Sequence, residues 1–211
     1  MFVDEARWIQ RQLGPEVLRD GARVLDLGSS TLEYRTRIQP HIAELIYEPL
    51  QMRGCRITSA DGKRGEGVDV VVDVTKPGMA GALAGRQFDL VICSNTLQHV
   101  SDRGMLVGNA VGAVAPGGLL LMSAPLRYRR TTDPIDNGYR PDVADLVALI
   151  RRHRDAAIVA AEVISIDDRR YYRFTPRRIM DRLLLRSLRA RLRGYLPPLR
   201  WRVTCVLLRA S

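Results

Sequence analysis

The sequence predicts an α/β fold built on a mostly parallel sheet, and three observations carry that reading. Short strand-like runs, each closed by an acid or a small polar residue, recur at 23–30, 56–61, 67–73 and 88–95, and a fifth run follows the turn at 115–118. Strands covered on both faces read as near-continuous apolar runs of this kind. Segments of helical period separate them, including 2–13 and 40–52, where Ile42, Leu45, Ile46 and Leu50 share a face. The tail adds two further strand-like runs, 157–166 and 201–208, with a helix between.

The first run is the most informative. Val24, Leu25 and Leu27 form its apolar body and Gly28 begins the turn, but Asp26 is an acid where a parallel strand should be apolar. A buried carboxylate is costly unless hydrogen-bonded, so Asp26 either fixes the turn or receives hydrogen bonds from a ligand or its waters. Ser29, Ser30 and Thr31 add hydroxyls, with Glu33 and Tyr34 on the helix that follows. Asp61 and Gly62 close the second run, Asp73 and Val74 the third, and Ser94 and Asn95 the fourth, which leads into His99.

In this order the residues resemble the class I S-adenosylmethionine (SAM) dependent methyltransferases, of the methyltransferase type 11-like pattern, over residues 23–125. Val24 to Ser29 match the family's first-strand motif, whereas Ser30 and Leu32 stand where its second and third glycines usually are. Residues 88–100 resemble its fourth-strand block, with Gln98 in place of the usual Glu, and 115–122 its turn and fifth strand. The resemblance implies a Rossmann-like, seven-stranded, mostly parallel sheet with an antiparallel C-terminal strand and helices on both faces. It also implies SAM held by Asp26, Gly28, Ser29, Ser30, Tyr34, Asp61, Gly62, Asp73, Val74, Ser94, Asn95 and His99. Asp61 would take the ribose, since a carboxylate accepts from both hydroxyls of a cis-diol. Asp73 would meet the adenine amino group, and Ser94 and Asn95 the methionine end. A dinucleotide oxidoreductase would want Gly-x-Gly-x-x-Gly after the first strand, where this chain has Gly-Ser-Ser-Thr-Leu-Glu.

The acceptor is expected above the carboxyl ends of strands four and five. His99 is a candidate general base because imidazole titrates near neutrality; the alternative is that it orients the loop or lies beside the cofactor. The stretch 126–141 resembles an Asp-Pro-x-Asp and Tyr-Arg-Pro insert found in a subset of these enzymes, many from glycan or natural-product pathways. Asp133 and Asp136 are its catalytic candidates, and Tyr128, Asp136, Tyr139 and Arg140 its substrate-binding candidates. A divalent metal such as magnesium on these aspartates is a further expectation; loop architecture is the plainer one, because Asp-Pro and Asp-Asn-Gly form turns. The expected reaction is O-methyl transfer to a small hydroxyl-bearing acceptor, a sugar or oligosaccharide precursor. The alternatives are a natural product or lipid-linked glycan, RNA, or a catalytically silent partner protein.

Composition agrees with one domain over 1–211, since 46% apolar content in 211 residues suffices for one core. A helical segment (1–20) precedes the first strand, and 2–13 would cover the active site or a partner subunit, in a monomer or homodimer. Residues 151–211 hold 16 basic and 5 acidic side chains, against 17 and 18 in 1–150. Much of that excess falls in an amphipathic helix expected at 175–194, suited to peripheral contact with an anionic membrane or to a solvated face. No aromatics are interleaved with its arginines, which argues against a nucleic-acid partner. Apolar runs too short to span a bilayer and the lack of a basic leader point to a cytoplasmic protein. Cys55, Cys93 and Cys205 read as buried free thiols, His41 and His153 as surface residues, and Asp102 as a helix cap.

Overall fold

The computed structural model describes residues 1–83, 85–128, 136–166 and 201–211. Asp133, the rest of 129–135 and the basic segment 175–194 lie outside them. Helix α1 (Val3–Gln12) is followed by β1 (Arg23–Leu27), then by π-helical turns at Tyr34–Ile38 and Ala43–Tyr47, the second running into α2 (Glu48–Met52). Next come β2 (Arg56–Asp61), β3 (Val70–Val71), α3 (Met79–Ala82), β4 (Phe88–Ser94), a 3-10 turn at Leu97–His99, and α4 (Arg103–Gly112). The chain continues through β5 (Val114–Arg127), α5 (Val143–Arg151), β6 (Ala156–Ile166) and β7 (Trp201–Ala210).

These strands form one seven-stranded sheet in the order β3-β2-β1-β4-β5-β7-β6. The first five run parallel, and β7 is antiparallel to both β5 and β6. From β1 the chain winds outward to β2 and β3, then returns to β4 on β1's other side. The connections therefore diverge at the carboxyl ends of β1 and β4, which leaves a crevice of the kind that receives ligands in open α/β sheets.

Alternation along the strands feeds two cores. Leu25, Leu27, Val91, Cys93, Leu120 and Met122 pack toward α4 and α5 through Leu106, Val107 and Leu146. Val24, Ile92, Leu119 and Leu121 face the other way, toward Trp8 and Ile9 of α1 and Ile46 and Leu50 of the second helical stretch. Caps set where two helices start: Asp102 accepts from Met105 N–H at 2.8 Å, and Asp142 from Asp145 N–H at 2.8 Å. All three cysteines are buried and free, and burial pushes the Cys93 thiol up to about 12. No described helix is long and apolar enough to cross a membrane.

Three expectations need correction. The third strand shrinks from 67–73 to Val70–Val71, because the Asp69 carboxylate takes the Ser59 N–H at 2.7 Å and Asp73 turns back onto Thr75. Strand β5 extends to Arg127, so the first residues of the expected loop 126–141 belong to the sheet, where Arg127 is in register with Arg202 of β7. His41 is buried and not on the surface: its Nε2 lies 3.1 Å from the Met1 carbonyl, and burial pulls its pKa down. His153 is exposed, as expected.

Candidate active site

On the face that carries α1, the apolar alternation stops at the carboxyl ends of the strands and turns polar. Asp26 follows Val24, Ser94 follows Ile92, and Ser123 follows Leu121, each two residues on and thus on the same face. Asp26 is in register with Ser59 of β2, and Ser94 with Ser123 of β5. Four neighbouring strands therefore contribute one polar row at the mouth of the crevice.

Asp26 is held from the helix above. Tyr47 donates its hydroxyl to Asp26 Oδ2 at 2.5 Å, with Ser59 Oγ 3.2 Å from the same phenol oxygen. Burial pushes the Asp26 carboxyl up to about 6, against the opposing pull of that hydrogen bond and of the Arg35 charge. The turn after β1 is fixed from β2 instead. Ala60 O accepts from Gly28 N–H at 2.8 Å and from Ser29 N–H at 3.2 Å, while Asp61 Oδ2 accepts from Ser30 N–H at 2.8 Å. Gly28 is required here because its φ is +79° and a Cβ would lie 2.5 Å from Thr96 Oγ1.

Asp61 closes β2 with its other oxygen receiving the Lys63 N–H at 2.9 Å. A carboxylate has about four acceptor sites, so two remain for a diol. Beside it, Gly62 borders open space: a Cβ there would meet only the Val72 carbonyl, at 3.9 Å. Asp73 is exposed, and hydrogen bonds from the Thr75 hydroxyl and N–H hold its carboxyl below the usual range. Val74 is buried against the α4 side of the core, and its carbonyl accepts from Asn109 at 2.8 Å. Tyr34 is half-buried, one helical turn beyond Thr31.

Two features mark the end of β4 as a place prepared for a ligand. Ser94 Oγ is buried with no hydrogen-bond partner among the described residues, and Asn95 has a left-handed φ of +53°. With Asp61 and the open flank at Gly62, these residues fit a polar ligand that carries a diol. His99 follows on the 3-10 turn Leu97–His99, half-buried. That turn is stapled by Asn137, whose carboxamide donates to the carbonyls of Leu97 (2.9 Å) and Val100 (2.7 Å) and whose N–H donates to Gln98 O at 2.9 Å.

The remaining acceptor-side residues are spread around this turn. Asp136 and Arg140 pair bidentately at 3.1 and 2.8 Å, and Asp136 also takes the Gly138 N–H, so its buried carboxylate organises the local loop. Arg103 lies 4.4 Å over the Tyr139 ring. Tyr128 belongs to an aromatic group with Phe2 and Trp201, at centroid distances of 5.6 and 4.9 Å. Among the described residues no three His, Cys, Asp or Glu side chains converge as metal ligands.

Four residues at this site escape a reading of the sequence: Glu5, Tyr47, Arg35 and Asn137. Glu5 is fully buried, and its carboxylate accepts from Asn95, from the Ser123 hydroxyl and from the Phe2 N–H. It pins α1 over the carboxyl ends of β4 and β5. One signal was available for it, because Glu5 stands on the helix's apolar face, three residues after Phe2 and four before Ile9.

The sheet order, the reversed seventh strand and the polar crevice at β1 and β4 define a Rossmann-like methyltransferase fold of class I. A family model described as "Methyltransferase domain" matches residues 2–173. The chain belongs to that family, and its fold is that of the SAM-dependent methyltransferases. It is similar to a ubiquinone biosynthesis O-methyltransferase from Methylobacterium sp. (strain 4-46), 30% identical over 129 residues, which cover 56% of this chain and 47% of that protein. The match thus spans about half of the relative's length. In fold it is similar to coclaurine N-methyltransferase bound to N-methylheliamine and S-adenosylhomocysteine (SAH) (TM-score 0.57, 14% identity, 99% of this chain and 74% of that one). It is also similar in fold to an S-adenosylmethionine dependent methyltransferase from Mesorhizobium loti (TM-score 0.51, 18% identity, 97% of both chains).

Proposed function

We propose that this protein is an O-methyltransferase that moves the SAM methyl group to a hydroxyl of a small acceptor. The observation that carries the reading is the placement of His99: a half-buried residue on the stapled turn Leu97–His99, which follows the end of β4 where Ser94 and Asn95 stand. Similarity to an O-methyltransferase supports the choice of oxygen. Hydroxyl attack benefits from a base that takes the proton, whereas a neutral amine can attack without one.

Each group then has a task. Asp61 receives the ribose hydroxyls, the exposed Asp73 and the buried Val74 border the adenine, and Gly28 to Ser30 with Ser94 and Asn95 hold the amino-acid end. SAM supplies a methyl group already activated by its sulfonium. The protein's contribution is to exclude water beneath α1, to align the acceptor oxygen and to hold a proton at His99. A sugar hydroxyl is the acceptor expected from the composition of the loop after β5. A phenolic hydroxyl is the second reading, favoured by Phe2 and Tyr128, half-buried aromatic rings at the end of β5.

The first experiment is titration with SAH of the wild type and of Asp61→Ala, with and without magnesium. Micromolar binding lost in the variant is the expected result; no binding to the folded wild type would overturn the reading. Transfer of labelled methyl from SAM to sugar and phenol panels then selects the acceptor. His99→Gln should lower kcat about 100-fold with SAH affinity preserved.

A further inference from the structure

Ser30 has the backbone of a glycine without being one. Its φ is +56°, a region that glycine enters freely and other L-residues enter at a cost. Both of its peptide groups are gripped by side chains from separate elements. Its N–H donates to Asp61 Oδ2 at 2.8 Å, and its carbonyl accepts from Arg35 Nη1 at 2.7 Å. That same nitrogen lies 3.2 Å from the Ser29 carbonyl, and Nη2 donates to Gly67 O at 2.8 Å. Arg35 is only 4% exposed, and its guanidinium lies 4.8 Å from the centre of the Tyr47 ring, the phenol that holds Asp26. Desolvating a guanidinium is expensive, so its hydrogen bonds to three carbonyls are what keep it there. The fit is tight on the far side too. Gly67 has φ +74°, and a Cβ there would lie 2.8 Å from Arg35 Nη2.

We infer that Arg35 and Asp61 clamp the Ser30 peptide from both sides and so hold the turn after β1 in the shape that receives the amino-acid end of the cofactor, with Arg35 as the positioning residue. The inference rests on the cofactor reading above. It makes a specific demand, because a clamp that compensates for a missing glycine matters less once the glycine is supplied. Lysine cannot replace Arg35, since an ammonium lacks the planar fork that spans Ser29, Ser30 and Gly67 together.

The test is a double-mutant cycle read by SAH titration on the wild type, Arg35→Lys, Ser30→Gly and the double variant. Arg35→Lys should weaken SAH about tenfold in the wild-type background and no more than about threefold in the Ser30→Gly background. Equal losses in the two backgrounds, or wild-type affinity in Arg35→Lys, would overturn the clamp. Amide hydrogen exchange of residues 29–32 without ligand gives a second readout: about fivefold faster in Arg35→Lys, and less sensitive to that change once Ser30→Gly is present. If the wild type does not bind SAH, the cofactor reading falls while exchange still judges the clamp. Arg35→Gln, which keeps a planar amide but loses the fork and the charge, should reproduce the pattern if Arg35→Lys fails to fold; additive effects in that cycle would likewise overturn the proposal.

Discussion

The amide nitrogen of Asn95 lies 2.7 and 3.0 Å from the two carboxylate oxygens of Glu5, which joins the first helix to the end of the fourth strand. Ser123 donates to the same carboxylate, so the ends of β4 and β5 are both tied to α1. Glu5→Ala would leave the buried Ser123 hydroxyl and the half-buried Asn95 carboxamide without their shared acceptor and remove the carboxylate that caps the Phe2 N–H. The expected cost is ~2–4 kcal/mol in urea unfolding. Amide exchange within residues 3–12 should rise more than in the strands, and uniform exchange across the sheet and α1 would argue against a local latch.

Acid titration should single out Asp26. Its carboxyl is raised from 3.8 to about 6, so between those values the folded protein binds more protons than the unfolded chain. Stability attributable to this group therefore falls as pH rises through that window and is flat above it. Asp26→Asn should remove the slope, gaining roughly 2–3 kcal/mol relative to wild type at pH 7 compared with pH 4. Parallel pH profiles of urea stability for the two proteins would refute the assignment.

Gly28 offers a steric test of the turn. Gly28→Ala meets Thr96 Oγ1 and a positive φ together, for an expected loss of ~2–4 kcal/mol. Adding Thr96→Ala removes the collision but not the backbone cost, so chemical denaturation should show partial recovery. Full recovery would mean that φ contributes little there.

Asn137 separates positioning from binding. Asn137→Ala frees the carbonyls of Leu97 and Val100 and unlocks the turn that carries His99. We expect kcat to fall about tenfold with SAH affinity preserved, because alignment of the acceptor and its base is lost while the cofactor contacts remain. A change in SAH affinity with kcat unchanged would reverse the assignment.

Strand β2 was legible to the residue, Arg56 to Asp61, because a short run between Gly54 and Gly62 ends on an acid. Strand β3 was not, since Asp69 and Asp73 spend their carboxylates on backbone N–H groups and end the ladder early, a competition invisible in apolar patterning. Within the crevice, Asp26 stood out as an acid inside an apolar strand and Asp61 as the acid that closes the next one. Arg35 and Asn137 did not, because their partners are main-chain carbonyls, and carbonyls carry no residue identity. Tyr47 was hidden for a related reason: an aromatic in a helical run reads as core until its hydroxyl is seen on Asp26.

The place of β7 between β5 and β6 has a consequence for biosynthesis. Among the described strands, β6 leaves the ribosome with no partner for its ladder, and β5 with one edge open, until residues 201–210 follow. At ~5–20 residues per second that interval lasts several seconds. Through it the nascent chain presents two bare edges of ten or more residues, one of them in β5 with its run of leucines. A ribosome stalled before residue 201 would therefore release an aggregation-prone chain, and the last strand acts as the stitch that closes the sheet.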